Sequence, residues 1–457
     1  MMKIENVLKL IEDVPDYETF LTVDELNESA QVLAEKYPDI VSWLPIGSSR
    51  AGEEIRMLKI GDGSKNALLF AMPHPNEPIG SMMLEFLSTR LAEDDELREG
   101  LGYTWHMIKC IDVDGTRLNE GWFKGPYSVT NYARNYYRPP SFQQIEWTFP
   151  IEYKTLRFDK PLPETKALMK IIEDKKPEFI FSLHNSGFGG AYLYVSHNRK
   201  DFFRDFYELV ESQELPLHLG EPEMPFVEQL SDAVFRLNGI SEGYDFLEKN
   251  SDKDPAEVMR GGADSFEYAR RFCDPFFLVC EMPYFNNPII HDTSPTEHVR
   301  RDLIMQNIAA TRKQIHSMKE LFDSIQEELT LGTAFKETIE NDLTNFDDYL
   351  AAQENWAKSD SALSEKATEA EKFDNLLVSR FYQLLSLGTF VRMIKAQIEE
   401  TGVTELLTSA LETAIKTFEK EAAELENEMR YDVIPIKKLV SVQLGSALLA
   451  SEVAASQ

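Results

Sequence analysis

The chain is poor in cysteine: 457 residues contain three, Cys110, Cys273 and Cys280, with no Cys-x-x-Cys spacing. That excludes a disulfide framework or a cysteine-based metal knuckle and makes a reducing cytoplasm the expected compartment. No stretch approaches the ~20 consecutive apolar residues that a membrane-spanning helix needs. The opening Met1-Met2-Lys3-Ile4-Glu5-Asn6 lacks the apolar core of a secretory signal. Basic residues are in the minority, 47 against 78 acidic ones, for a formal charge of −31. A surface of that sign repels nucleic acid and anionic lipid, so neither is an expected partner, and it concentrates cations. Fixed-period repeats and low-complexity segments are also missing.

What is present is a set of short apolar runs that end in residues able to bind a metal. Ala67-Leu68-Leu69-Phe70-Ala71-Met72 leads into His74-Pro75-Asn76-Glu77, an imidazole and a carboxylate three residues apart on a turn stiffened by Pro75 and Pro78. Phe179-Ile180-Phe181-Ser182-Leu183 ends at His184, followed by the loop chemistry of Asn185-Ser186-Gly187-Phe188-Gly189-Gly190. Phe276-Phe277-Leu278-Val279-Cys280 ends at Glu281 and is broken by Pro283. Runs of this kind read as buried strands, and open α/β sheets place their active sites at the carboxyl ends of strands. One sheet edge would then gather His74, Glu77, His184 and Glu281. Each has an ordinary structural alternative: a hydrogen-bonded histidine, a helix N-terminal carboxylate, half of an ion pair. Their joint occurrence, each at a strand exit, points to a metal site.

At this point the sequence resembles the zinc carboxypeptidases of the carboxypeptidase A type. His74-x-x-Glu77 matches the first zinc motif, and His184 and Glu281 sit at the third ligand and the catalytic glutamate. Asp112-Val113-Asp114-Gly115 is similar to the Asn-Pro-Asp-Gly loop, and Ala133-Arg134-Asn135-Tyr136 falls where the family has Asn-Arg-Asn-Phe. Pro163 to Leu168 resembles the helix before the third-ligand strand, and Gly261-Gly262-Ala263-Asp264-Ser265-Phe266 the specificity loop. The likeness spans residues 15–295. It implies an α/β fold with a mixed, mostly parallel central sheet flanked by helices. It also implies one zinc per chain on His74, Glu77 and His184, and a peptide or small amide as substrate.

A zinc ion on two imidazoles and one carboxylate keeps a net positive charge, able to activate water and polarise a carbonyl. In the family's scheme Glu281 is the general base beside the metal. The chain departs from the family elsewhere. Where an oxyanion arginine is expected it has Trp122-Phe123-Lys124, leaving Arg117, with Lys124 as the alternative, to support the oxyanion. Arg134 matches the arginine that grips a substrate carboxylate, but Ala133 replaces its asparagine neighbour and Glu257 stands near the expected tyrosine. Tyr136, Tyr137 and Arg138 are candidates to fill in. Asp264 either caps a helix or favours an amine-bearing residue in the pocket. The reading is a metallocarboxypeptidase. Its alternatives are an N-acyl amino acid deacylase, which His-Pro-Asn-Glu-Pro-x-Gly also resembles, and a non-catalytic zinc-binding protein, against which the retention of Glu281 argues.

Two regions are expected, a catalytic domain over 1–295 and a mainly helical addition over 296–457. Ser294-Pro295-Thr296-Glu297 reads as a capping box opening an amphipathic helix through Ile304, Ile308, Ile315, Met318, Phe322, Ile325 and Leu329. Helical patterns continue over 335–358, 363–400 and 404–429, broken at Gly332 and Gly402, so a bundle is expected. The apolar segment from Val433 to Ala450 should dock as a strand or short helix, with Ser456 and Gln457 frayed. A lid, a module joining copies of the chain, a partner-binding arm and a plain packing role all remain open for these helices.

Overall fold

The apolar runs become strands of one sheet. In chain order its strands are β1 (Val41–Ser48), β2 (Glu54–Ile60), β3 (Lys65–Ala71), β4 (Tyr103–Ile108), β5 (Phe179–Leu183), β6 (Tyr192–Val195), β7 (Gln229–Ser231), β8 (Val234–Arg236) and β9 (Phe276–Glu281). In space they run β1-β2-β4-β3-β5-β9-β6-β8-β7. This computed structural model describes residues 3–456; Met1, Met2 and Gln457, which the readings of the opening and of the frayed end include, lie outside the described residues.

The sheet is mixed, as expected, but parallel pairing is concentrated at its centre. Strands β4, β3, β5 and β9 pair in parallel, as do β6 and β8. The pairs β1–β2, β2–β4, β9–β6 and β8–β7 are antiparallel. Central strands covered on both faces are near-continuous apolar runs. Accordingly Ala67 to Ala71, Phe179 to Leu183 and Phe276 to Glu281 are buried without interruption. β3, β5 and β9 are neighbours, so their carboxyl ends share one edge.

Helices α1 (Ile79–Glu93), α2 (Val129–Asn135) and α3 (Lys200–Ser212) come from the first part of the chain. The second part adds α4 (Arg300–Ile325), α5 (Ala334–Ser359), α6 (Ser379–Thr401), α7 (Glu405–Met429) and α8 (Ile436–Ala455). Residues 295–299 are not a helix start: Pro295–Val299 is a strand paired with Lys366–Thr368, and the helix begins at Arg300. The Thr296 hydroxyl donates to the Ala367 carbonyl (2.9 Å) across this strand pair.

The last segment also differs from expectation. It is a 20-residue helix, α8, that packs against α1, α3, β5 and β9. Val440, Leu444 and Leu448 are fully buried there, each contributing about 1.5–3 kcal/mol by leaving water. The apolar core is therefore continuous across residue 295, joining Val7 and Phe20 to Ala454. Helix α6 lies on α2, and Gly388 permits the contact: a Cβ there would stand 1.9 Å from the Ala133 carbonyl oxygen.

Candidate metal centre

After β3 the chain turns sharply. Met72 is buried and adopts a left-handed conformation (φ 55°), costly for an unbranched residue outside a turn, and redirects the backbone so that His74 and Glu77 come back over the sheet edge. Gly80, in the first turn of α1, lets that helix sit on β5; a Cβ there would meet the Leu183 Cβ at 2.4 Å. The Ile79 amide donates to Asn185 Oδ1 (3.0 Å), and the Tyr284 hydroxyl shares its proton between the Asn76 carbonyl (2.8 Å) and Asn185 Oδ1 (3.1 Å). The two ligand-bearing loops are thus fastened to each other.

His74, Glu77 and His184 are buried and offer ligand atoms within 4.8 Å of one another, the one such cluster among the described residues. His184 Nδ1 lies 3.1 Å from Glu77 Oε2. On its other side His184 Nε2 is 2.8 Å from Ser182 Oγ, which also bonds to Glu146. A carboxylate only accepts, so the Ser182 hydroxyl donates to Glu146 and accepts from Nε2–H, which leaves Nδ1 able to face a metal ion. Burial opposes a charge on His184, yet Glu146 and Glu77 outweigh it and push its pKa up to about 10, the response of a site that favours a positive charge. His74 is held well below the usual imidazole range by burial, then by Arg138 and His184, and its buried Nδ1 has no hydrogen-bond partner. An uncharged imidazole with an orphaned nitrogen beside a carboxylate and a second imidazole fits a zinc ion.

Glu281, the last residue of β9, is 4.0 Å from His184 Nδ1. Its Oε2 is buried without a partner, and burial, then the charges of Glu223 and Glu77, raise its pKa well above the usual carboxylate value. It stands beside the cluster without belonging to it, as a proton carrier must. Arg138 reaches Glu77 Oε1 at 3.1 Å. Together these groups line a cavity of about 380 Å³ that also contains Tyr136 and Asp264.

Three expected residues are placed differently. Arg117 does not line the cavity; it is bound by Glu53 and Asp24 (2.8 Å each). Lys124 pairs with Glu25 (2.6 Å). Arg134 turns away to Glu419 (2.7 Å) and lies over the Phe418 ring. Helix α2 ends at Asn135, and the extended backbone at Tyr136 sends the later arginine, Arg138, into the cavity instead. Asp264 is the N-cap of Ser265–Ala269, accepting from the Glu267 amide at 2.7 Å, and burial raises its pKa well above the carboxylate value. Glu257 lies in the short helix Pro255–Val258 and does not line the cavity.

Other cavity groups carried no sequence signal. Glu146, in the single 3-10 turn Ile145–Trp147, holds both Ser182 and the Ser265 amide (2.9 Å). Glu223, Tyr382 and Leu385 also line the cavity, the last two from α6.

A sequence model of the family described as zinc carboxypeptidase matches residues 26–274, more than half of the chain. Among solved structures, a carboxypeptidase A from Helicoverpa armigera is 14% identical, with 62% of this chain and 71% of that chain covered at a TM-score of 0.40. A metallo-carboxypeptidase from Burkholderia cenocepacia is 17% identical, with 61% and 63% covered at a TM-score of 0.34.

Proposed function

The chain belongs to the zinc carboxypeptidase family, and from that premise we propose that it is a zinc-dependent hydrolase cutting an amide next to a free carboxylate, most simply a metallocarboxypeptidase. The observation that carries this reading is the buried His74, Glu77 and His184 cluster with the unpartnered Glu281 oxygen beside it. One zinc per chain, held by those three side chains, would supply Lewis-acid activation of water and of the scissile carbonyl. Glu281 accepts the proton of the attacking water, aided by its poor solvation, and delivers it to the leaving amine. Ser182 and Glu146 fix the ring of His184 during this exchange. Arg138 is the cavity guanidinium placed to hold the substrate carboxylate.

A small N-acyl amino acid is the second reading, favoured by the wall that Tyr382 and Leu385 add to the cavity. The three cysteines, all free thiols, support a cytoplasmic setting. Among the described residues no helix is long and apolar enough to cross a membrane. The test is hydrolysis by the zinc-loaded protein of peptides ending in a carboxylate, of the matching carboxamides and of N-acyl amino acids. Carboxylate-bearing compounds should be turned over much faster than their matching carboxamides. Failure to cleave any of them, or equal cleavage of carboxylate and carboxamide, would overturn the reading.

A further inference from the structure

Helix α2 ends at Asn135, and soon after it Arg138 enters the metal cavity. The last carbonyls of a helix have no partner within it and must find donors elsewhere. Here the donors come from the C-terminal helices. Arg392, on α6, donates through Nη1 to the carbonyls of Asn135 (2.6 Å) and Tyr136 (3.0 Å), and through Nη2 to that of Leu118 (2.8 Å). A cation at a helix C-terminus also suits the negative end of the helix dipole. Asn119, next to Leu118, binds the amide (3.0 Å) and the carbonyl (2.9 Å) of Tyr137. The Thr338 hydroxyl, on α5, shares its proton between the Arg138 carbonyl (3.2 Å) and the Ala334 carbonyl of its own helix (3.1 Å). The backbone is thus held at every residue from Asn135 to Arg138. Arg392 and Thr338 both lie beyond residues 26–274, the part of the chain that matches the family model.

Arg392 costs more at this position than an apolar residue would. Its partners are neutral carbonyls, no carboxylate lies within ion-pair distance among the described residues, and burial pushes its pKa down to about 10. What the guanidinium adds to packing is a rigid fork of donors aimed at carbonyls that lie far apart in sequence. Phe335, on α5, steadies the fork: its ring lies 4.4 Å from the guanidinium and meets the Tyr137 ring edge-on at 5.5 Å. The carbonyls concerned mark the place where the chain leaves the helix for the extended backbone of Tyr136 (ψ 140°). Continuing α2 by one turn would put Arg138 four residues after Arg134 on the same helix face. That face looks toward Glu419, away from the cavity.

Resting on the hydrolase reading above, we propose that Arg392 is a positioning residue for that reaction, ending α2 at Asn135 and thereby aiming Arg138 at the substrate carboxylate. The C-terminal helices then serve substrate binding by holding the segment that carries the clamp.

The test is a double-mutant cycle in the zinc-loaded Glu281→Gln protein, which reads binding without turnover. The probes are N-acetyl-alanyl-leucine and its carboxamide, measured by calorimetry. Arg392→Met should weaken binding of the carboxylate probe by ~10–100-fold, the scale set by a misplacement of about 1 Å, with little effect on the carboxamide and none on zinc content. In the Arg138→Ala background Arg392→Met should have no further effect, because the group it aims is gone. If Arg392→Met does not fold, Arg392→Lys, which keeps the charge without the fork, carries the same cycle. Losses that add, equal losses on carboxylate and carboxamide, or no preference for the carboxylate probe before Arg392 is altered would each overturn the proposal. Hydrolysis of the carboxylate compound at an undiminished rate by Arg392→Met would overturn the positioning role alone. The expected cycle without hydrolysis of either compound by the unaltered protein would overturn the hydrolase reading and leave the action of Arg392 on Arg138 standing.

Discussion

Gln443, in the middle of the last helix, donates its side-chain amide to the backbone carbonyl of His184 at 2.7 Å and to that of Cys280 at 3.2 Å. One residue of α8 thereby ties together the ends of β5 and β9, the strands that deliver His184 and Glu281. Replacing Gln443 with Leu leaves two buried carbonyls without this donor, at a cost of about 1–3 kcal/mol. It also frees the His184 backbone, and support of this kind is typically worth about 10–100-fold in metal affinity. Competition with a chromophoric chelator should therefore show weaker zinc binding by Gln443→Leu, with a modest loss in urea stability. Unchanged zinc affinity would show that the strand ends hold themselves.

Much of this site was legible in the sequence because its chemistry is bound to strand exits. The runs ending at Met72, Leu183 and Cys280 are apolar except for Ser182, so the site residues that follow them had to lie at the sheet edge. Spacing along the chain could not tell Arg134 from Arg138. The three residues between them include the end of a helix, and the extended backbone that follows sends Arg138 into the cavity while Arg134 turns to Glu419. The strand at 295–299 was hidden for a different reason: Ser-Pro-Thr-Glu suits a helix start locally, and only pairing with Lys366–Thr368, about 70 residues away, decides otherwise. The role of α8 was equally non-local, because an all-round apolar helix declares burial without declaring against what.

Zinc binding and proton transfer are separable at this site. His74→Ala and His184→Ala each remove one of three protein ligands and should lose the metal, read as zinc per chain after dialysis. Glu281→Gln should keep zinc and lower kcat by at least ~10²-fold, the lower end for loss of a general base. Full zinc in His184→Ala would dismiss the triad, and undiminished turnover in Glu281→Gln would move the base elsewhere.

His106, on β4, predicts an acid-sensitive stability. It is 1% exposed, bonded through Nε2 to Asn66 Oδ1 (3.0 Å), and burial, then Lys175 and Lys59, lowers its pKa to about 4. The fold keeps this ring neutral where the unfolded chain protonates it. Its contribution to stability is thus constant above the unfolded value of 6.5 and is lost as pH falls from 6.5 toward 4, by at most ~1.4 kcal/mol per pH unit. In urea unfolding, His106→Gln should be less stable than the unaltered chain at pH 7.5, with the gap narrowing as the pH is lowered through that window. A gap independent of pH would mean that His106 titrates alike in both states.

The carboxylate clamp gives the sharpest contrast between sequence position and structure. Arg134 occupies the family's place for the clamp, yet it is nearly half exposed and paired with Glu419. Arg138 enters the cavity and touches Glu77. Arg134→Ala should accordingly leave kcat/KM almost unchanged, whereas Arg138→Ala should cost about 1.5–3 kcal/mol in kcat/KM for a substrate with a free carboxylate, the range for a hydrogen bond to a charged group. Arg138 also bonds a metal ligand, so the loss has two candidate origins. A carboxamide substrate separates them. If Arg138 clamps the carboxylate, the variant loses activity on the carboxylate substrate and little on its carboxamide, at unchanged zinc content. If it acts by orienting Glu77, both substrates suffer alike and zinc affinity falls. A larger effect from Arg134→Ala than from Arg138→Ala would return the clamp to the position that sequence alone suggested.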